Sequence, residues 1–150
     1  MTAKPRYELR PATGADHAAL YTIHREAMRP HVEATWGPWD ERVQPSFFQA
    51  TIDRGLLQVV LVKGETAGLL EVDDRFATVY VQNIELSAAH RGAGLGTAIL
   101  LDIQAKATAG GKRVELQVLK VNPARRLYER LGFVATGETE THVQMEWRPG

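Results

Sequence analysis

The segment HRGAGLGTAIL, residues 90–100, places three glycines directly before an apolar helical run. Glycine weakens the start of a helix unless the backbone there must bend unusually or approach another group closely. The preceding segment ATVYVQNIELS, residues 77–87, is rich in β-forming residues, and the following run repeats apolar residues every four positions to about Ala109. The sequence therefore predicts a strand, a glycine turn and a helix in succession.

The glycine turn has the composition of a phosphate site. The first amides of a helix lack intrahelical partners and carry the positive end of its dipole. Gly92, Gly94 and Gly96 let those amides approach a pyrophosphate without Cβ obstruction, and Arg91 and Thr97 add a charge and a hydroxyl. The spacing matches neither a P-loop, which needs a following lysine, nor a dinucleotide fingerprint. An ordinary strand-to-helix turn rich in glycine is the alternative.

The chain before this turn shows alternating helical and strand patterns. TGAD, residues 13–16, has the pattern of a capping box, with Thr13 as N-cap, and predicts a helix to about Met28 that Pro30 closes. Residues 31–44 are expected to be irregular. The remaining predicted elements are a strand at 7–12, a helix at 45–54 and a hairpin of strands 56–63 and 66–72 turning at Gly64-Glu65.

The chain after the glycine helix continues the alternation. Residues 113–119 are nearly continuously apolar or β-branched, which predicts an interior strand. Residues 122–132 predict a short helix with Asn122 as N-cap and Gly132 after its end. Two last strands are expected around a Gly137-Glu138 turn. The order β-α-α-β-β-β-α-β-α-β-β predicts a single α/β domain with a mixed sheet and helices on both faces.

The composition excludes several classes of protein. Lys+Arg and Asp+Glu both number 18 among 150 residues, so the basic excess of a nucleic-acid-binding protein is missing. The lack of cysteine excludes disulfides, thiolate metal sites and an acyl-cysteine intermediate. The histidines have no metal-ligand spacing, and no apolar stretch reaches the roughly 18 residues of a membrane span. We expect a cytoplasmic protein with no metal, membrane or nucleic-acid partner.

The pattern RGAGLG, residues 91–96, resembles the R/Q-x-x-G-x-G/A loop of the GCN5-related N-acetyltransferase (GNAT) family. The segments NIEL, AILLDI, LQV and NPARRLYERLGF fall in the order and spacing of that family, so the resemblance covers about residues 79–147. The N-terminal half is similar only in the order of its elements. The resemblance implies an acyl-CoA acyltransferase fold over residues 1–150, of class α/β (α+β), with a mostly antiparallel sheet.

The resemblance also implies how acetyl-CoA would be held. Its pantetheine amides would pair with backbone near residues 85–87, its pyrophosphate would rest on the amides of 91–97, and its thioester would lie where strands 77–87 and 113–119 separate. Asn122 would reach the pantetheine and Arg125 the adenosine phosphates, although Arg125 and Arg126 equally suit a solvated helix face. The implied cofactor residues are Leu86, Ser87, Arg91, Gly92, Ala93, Gly94, Leu95, Gly96, Thr97, Asn122 and Arg125.

Acetyl transfer needs a proton removed from the amine and a proton supplied to the leaving sulfur. In the family, the tyrosine that corresponds to Tyr128 donates the proton to sulfur; a purely packing aromatic is the alternative. Tyr128 follows Leu127, so the periodicity turns it away from the predicted buried face of its helix. Glu85 shares a strand face with Asn83 and is the candidate base, or else it orients a cationic acceptor. A glutamate that serves some members stands here as Gln117.

The amine acceptor is expected near residues 31–44. Trp36 and Trp39, beside Asp40 and Glu41, offer aromatic walls with acidic groups, which suit a cationic amine. Packing of both tryptophans onto the sheet is an equal alternative. With Asn83, they form the predicted acceptor site for a small-molecule or peptide amine. A homodimer through the last strands is a further expectation.

Three functions compete at this stage. The first is an N-acetyltransferase that transfers the acetyl group of acetyl-CoA directly to an amine. The second is a non-catalytic acyl-CoA-binding module of the same fold, and the third is an unrelated phosphate-binding α/β domain. The glycine turn, Asn122 and Tyr128 favour the first.

Overall fold

The structure is a computed structural model and describes residues 5–150. Within this range, eleven α-helices and β-strands follow one another in the predicted order. They are β1 (Glu8–Pro11), α1 (His17–Trp36), α2 (Gln44–Asp53), β2 (Leu57–Val62), β3 (Glu65–Asp74), β4 (Thr78–Leu86), α3 (Leu95–Ala109), β5 (Arg113–Leu119), α4 (Arg125–Arg130), β6 (Val134–Glu138) and β7 (His142–Trp147).

The strands form one sheet in the order β1-β2-β3-β4-β5-β7-β6. The pairs β1–β2, β2–β3, β5–β7 and β6–β7 are antiparallel, whereas β4 and β5 are parallel. The sheet is therefore mixed and mostly antiparallel, as expected, and β5 is an interior strand. Its parallel pairing with β4 runs from Thr78 opposite Arg113 to Val81 opposite Leu116, while β4 continues to Leu86.

The described chain divides into two compact units. The first contains the chain up to Glu71 together with Asn83–Leu95, and the second contains Val72–Gln82 and Gly96–Gly150. In the first unit, α1 and α2 pack on β2 and β3 through one apolar cluster. Its fully buried members include Leu20 on α1 and Val59 on β2. Burial of these side chains is the main stabilising contribution of this unit.

The helix after the glycine turn buries the face that its periodicity predicts. Leu95, Ile99, Ile103 and Ala107, which repeat every four positions, are all buried. The helix ends at Ala109, and Gly111 has a positive φ of 65°, a conformation that glycine adopts at little cost. The period of the sequence therefore identified the inner face of α3.

Helix α1 is longer than the sequence predicts. Pro30 lies inside the helix instead of closing it, and residues 31–36 are helical instead of irregular. Pro30 is exposed, so its ring is accommodated on the solvent side. The helix ends where Gly37, with a φ of 106°, donates its amide to the Glu33 carbonyl 3.1 Å away. The glycine, and not the proline, sets the end of α1.

The start of α1 follows a 3₁₀ turn at Gly14–Asp16. The predicted capping contact forms, because the Thr13 amide donates to Asp16 Oδ2 at 2.8 Å. Arg10 donates two further hydrogen bonds to the same carboxylate, at 2.8 and 2.9 Å. These Arg10 bonds, followed by the Thr13 amide, lower the pKa of Asp16 to about 2.

Two turns differ from their predicted positions. The β2–β3 hairpin turns at Lys63 and Gly64, with φ values of 52° and 79°, and not at Gly64-Glu65. Two consecutive positive φ angles match the twist of a tight hairpin. Gly137 and Glu138 belong to β6, and the last turn lies at 139–141, where the Thr139 amide donates to the His142 carbonyl. Each observed turn thus lies one or two residues from the position that the sequence predicts.

Candidate functional site

The glycine turn after β4 has the backbone conformation of a close-approach loop. Gly92 and Gly94 have φ values of 75° and 84°, which side-chain-bearing residues rarely adopt, and α3 begins at Leu95. Arg91 donates from Nε to the Leu86 carbonyl at 3.0 Å, so the start of the turn is fastened to the end of β4.

Its backbone amides are available to a ligand. Within residues 5–150, no carbonyl or side chain accepts a hydrogen bond from the amides of Gly92, Ala93 or Gly94. These donors precede a helix of 15 residues, whose first turn carries the positive end of the dipole. Unpaired amides at such a place suit a phosphate or pyrophosphate group.

The end of β4 is packed unusually closely against β3. An alanine Cβ at Gly68 would overlap the Glu85 carbonyl oxygen and lie 2.8 Å from Leu86 Cδ2. The Ser87 amide donates to the Ala67 carbonyl at 2.8 Å, and Ser87 Oγ lies 2.7 Å from His90 Nδ1. Gly68, which the sequence analysis did not single out, therefore allows the backbone of Glu85 and Leu86 to take its position.

Glu85 forms a hydrogen-bonded pair with His24 on α1. Its two carboxylate oxygens lie 2.7 and 2.9 Å from His24 Nδ1. The Glu85 side chain is 6% exposed and the His24 side chain is 23% exposed. The carboxylate is therefore shielded from solvent, and the imidazole stands between it and the surface.

Aromatic rings enclose the imidazole. The ring of His24 stacks on Phe48 at 5.1 Å and lies 5.8 Å from Trp39. Trp39 Nε1 donates to the Tyr21 hydroxyl at 3.2 Å, and that hydroxyl donates to Glu41 at 2.8 Å. Burial, and next the bond to Glu41, raises the pKa of Tyr21. The bond from Tyr21 lowers the pKa of Glu41.

A second buried carboxylate, Glu71 on β3, has fixed partners. Its side chain is fully buried, and Arg54 donates to its two oxygens at 2.7 and 2.9 Å. Asn83 donates its amide to the same carboxylate at 2.8 Å. The bonds to Glu71 raise the pKa of Arg54. Asn83, a predicted acceptor residue, is therefore occupied by a structural contact through its amino group.

Three predicted residues of the second unit, Asn122, Arg125 and Tyr128, lie on α4 or directly before it. The N-cap of α4 is Ala124 and not Asn122. The Asn122 side-chain oxygen accepts a hydrogen bond from the Ala124 amide at 2.9 Å in the turn before the helix. Tyr128 is the buried residue of α4, contrary to the predicted outward direction, and its ring packs on Phe133. The chain returns at Gly132, with a φ of 93°, which brings Phe133 onto that ring. Arg125 pairs with Glu129 at 3.4 Å.

The two candidate acceptor tryptophans have different surroundings. Trp39 is 7% exposed and belongs to the apolar cluster of the first unit. Trp36, at the end of α1, is 61% exposed. Asp40 pairs with Arg42, and Glu41 accepts bonds from Tyr21 and Arg25. Trp39 thus serves as packing and as a wall beside His24.

His24, Arg54 and Glu71 were missed by the sequence analysis. One signal for His24 was present, because His17, Tyr21 and His24 are spaced to share one face of a helix. For Glu71, the signal was a carboxylate two residues after Leu69 on the buried face of a strand. No group of three or more metal-ligating side chains occurs within residues 5–150, and no helix in this range is long and apolar enough to cross a membrane.

Solved acetyltransferases share the fold. The PaiA N-acetyltransferase of Thermoplasma acidophilum, crystallised with coenzyme A, matches with a TM-score of 0.75 and 16% identity over 96% of this chain and 99% of that one. An HPA2-related acetyltransferase of Corynebacterium glutamicum matches with a TM-score of 0.70 and 23% identity over 96% of this chain and 97% of that one. An acetyltransferase of Thermus thermophilus matches with a TM-score of 0.74 and 18% identity over 95% of this chain and 97% of that one. At these identities, the matches establish the fold.

The family follows from the sequence. Residues 25–148 match the family model of the acetyltransferase (GNAT) domain. The protein belongs to the GNAT acetyltransferase family, which confirms the resemblance of its glycine loop. No curated protein sequence matches the chain significantly.

Proposed function

We propose that the protein is an N-acetyltransferase that transfers the acetyl group of acetyl-CoA directly to an amine, within one domain over residues 1–150. The observation that carries the proposal is the turn Arg91–Leu95, where two positive-φ glycines precede a long helix and the amides of Gly92, Ala93 and Gly94 have no acceptor within residues 5–150. The coenzyme A in the Thermoplasma structure supports the choice of cofactor. The proposal includes the cytoplasmic location expected from the sequence.

The residues proposed for acetyl-CoA fall into two groups. The first group, Leu86, Ser87 and residues 91–97, contributes backbone amides and the charge of Arg91, and its geometry suits a pyrophosphate. The second group, Asn122 and Arg125, rests on the family resemblance. Bound acetyl-CoA supplies an activated acyl group, and the amides of the first group would hold its phosphates.

The proposed reaction uses the side chains of Glu85 and Tyr128. Glu85 belongs to the acceptor side, where the amine must lose a proton, and its burial beside His24 supports an electrostatic role. Tyr128 supplies a proton to the sulfur, a role that rests on the resemblance. The absence of cysteine from the sequence supports direct transfer without an acyl-enzyme.

We propose a cationic amine as acceptor, either a small molecule or a peptide amine. The support comes from the first unit, where the partly exposed ring of His24 lies beside Trp39 and against the carboxylate of Glu85. Trp36 and Asn83 stay candidate acceptor residues, and the homodimer stays a prediction.

Ligand-induced thermal stabilisation tests the proposal. Acetyl-CoA at 100 times its dissociation constant adds about 2.7 kcal/mol to the free energy of unfolding, which raises the melting temperature by roughly 5–10 °C. Acetyl-CoA and CoA should both do so, and ATP and NAD should not. Release of CoA with an amine present then separates an enzyme from a non-catalytic binding module.

A glycine variant locates the binding site. Gly94→Ala places a side chain at a φ of 84° and should abolish most of the stabilisation by acetyl-CoA. Gly110→Ala is the matched control, because Gly110 has no positive φ and its added Cβ meets only ordinary contacts. Equal stabilisation of both variants by acetyl-CoA would contradict a role for this turn.

A further inference from the structure

We propose that His24 is the group that accepts the proton of the acceptor amine, and that Glu85 is a positioning residue that holds the imidazole for this step. The inference rests on the proposed function, because it concerns the amine side of the same acetyl transfer. It assigns the proton transfer to a residue of α1 and gives the buried carboxylate of β4 a role through that residue.

The hydrogen bond to Glu85 fixes which nitrogen of His24 is free. A carboxylate accepts hydrogen bonds, so Nδ1, at 2.7 and 2.9 Å from its oxygens, carries a proton. In the neutral ring, Nε2 then holds the free electron pair. Within residues 5–150, no hydrogen-bond partner of His24 Nε2 is present. The pair therefore presents an unoccupied proton acceptor.

Exposure decides between the two members of the pair. A group that takes a proton from a substrate must reach that substrate within hydrogen-bonding distance or through one water. The Glu85 side chain is 6% exposed and both its oxygens face the imidazole, whereas the His24 side chain is 23% exposed. His24 is thus the member that a substrate amine can touch.

The surroundings hold the ring in one orientation. Phe48 stacks on it and Trp39 lies 5.8 Å away, so the ring cannot turn without displacing packed aromatics. The titratable and charged groups near it include His17, which packs on the same Phe48 ring and bonds the Pro45 carbonyl. They also include Tyr21, Arg25, Glu41, Glu85 and His90. Tyr21, Arg25 and Glu41 bond one another, and His90 bonds Ser87, which leaves Glu85 as the charge that acts on His24 directly.

An ammonium proton of the acceptor moves to His24 Nε2, and the positive imidazolium is stabilised by the Glu85 carboxylate. The neutral amine then attacks the acetyl carbon of acetyl-CoA, so that a C–N bond forms and the C–S bond breaks. The second proton lost by the nitrogen replaces the one that Tyr128 gives to the CoA sulfur, and His24 later releases its proton to water.

Kinetics of defined variants test the assignment. CoA release from acetyl-CoA is measured between pH 6 and 10 with L-lysine, n-butylamine and a peptide that has a free α-amine. At neutral pH, His24→Gln should lower kcat/KM for the accepted amine about 10²- to 10⁴-fold, the range of general-base catalysis. Glu85→Gln should lower it less, and through kcat more than through KM, because the imidazole loses the carboxylate that orients it.

His17→Gln is the matched control. His17 lies on the same helix and stacks on Tyr21, but it bonds the Pro45 carbonyl and no carboxylate. It should keep the kcat/KM and the pH profile of the wild type. Wild-type values and an unchanged acidic limb in His24→Gln would overturn the inference and leave the proposed function intact. Absence of CoA release from the wild type with every amine would overturn the proposed function, and the inference with it.

The tautomer of His24 gives a second test that needs no acceptor. Two-bond ¹H–¹⁵N correlation spectra of the ring distinguish a proton on Nδ1 from one on Nε2. We expect the Nδ1–H tautomer in the neutral ring of the wild-type protein. The Nε2–H tautomer there would remove the free electron pair and would overturn the inference even if His24→Gln were inactive.

Discussion

Glu71 and Glu85 are two buried carboxylates of the same unit, and their partners differ in kind. Glu71 is fully buried and receives two hydrogen bonds from Arg54 and one from Asn83. Glu85 is 7% exposed, and its side chain bonds His24. The first carboxylate is thus paired with a permanent cation, and the second is paired with an imidazole, which can be neutral or charged.

The difference separates a structural charge from a chemical one. A guanidinium keeps its proton at every accessible pH, so Arg54 and Glu71 form a fixed pair that cannot exchange protons with a substrate. An imidazole changes its charge between about pH 5 and 8 in ordinary surroundings. Burial alone therefore does not mark a catalytic carboxylate; the chemistry of the partner does.

Removal of Arg54 is the strongest way to break the comparison. Arg54→Met leaves the Glu71 carboxylate buried with only Asn83, and we expect the free energy of unfolding to fall by about 3 kcal/mol. The melting temperature should fall by roughly 6–12 °C, while kcat of the folded protein changes little. Arg29→Met is the control, since the Arg29–Glu33 pair is exposed and 3.4 Å long. Equal losses in both variants would show that Glu71 needs no guanidinium.

The glycine beside Glu85 gives the next effect in size. Gly68→Ala forces the backbone of Glu85 and Leu86 away from β3, which we expect to cost about 2 kcal/mol of stability. The shift also moves Glu85, so kcat should fall with stability, unlike in Arg54→Met. Gly14→Ala is the control, because nothing lies within 4 Å of its added Cβ. Stability and kcat measured on Gly68→Ala, Arg54→Met and Gly14→Ala distinguish the two carboxylates, because only Gly68→Ala should lower both.

A third carboxylate, Asp16, adds the smallest effect. Its side chain is partly exposed, and its pKa of about 2 lies below the ordinary value because Arg10 and the Thr13 amide bond it. The folded state therefore favours the ionised form, and the resulting stability is present above about pH 4 and is lost as the pH falls toward 2. With solvent screening we expect about 1 kcal/mol. The free energy of unfolding of Asp16→Asn, measured with urea, should depend correspondingly less on pH in this range. The same pH dependence in the variant and the wild type would contradict the stabilising role of the Arg10–Asp16 bonds.

Local patterns in the sequence predicted most of the fold. The four-residue period of α3 identified its buried face, and Gly92 and Gly94 identified a turn with unusual backbone angles. These features depend on neighbours along the chain. The end of α1 was misplaced because proline is a frequent helix stop, while the actual stop depends on the φ of Gly37. Element order and the glycine turn were therefore accessible without a structure.

The pairs of the candidate site were not accessible in this way. His24 and Glu85 are 61 residues apart, and Arg54 and Glu71 are 17 apart on different elements. Their contact depends on how α1 and α2 pack on the strands, which no local pattern specifies. Glu85 could be named as a candidate from its place at the end of β4, but its partner could not.

Pro30 also makes the end of α1 less stable than the part of the helix that precedes it. Pro30 has no amide proton, so the ladder of intrahelical hydrogen bonds is interrupted at its position. Residues 31–36 are thereby connected to the rest of the helix less strongly, and Glu33 connects them onward through bonds to the amides of Gly37 and Trp39. Segments of this kind open together at a lower free energy than the global unfolding. Amide hydrogen exchange should accordingly be slow at His24 and markedly faster at residues 31–36.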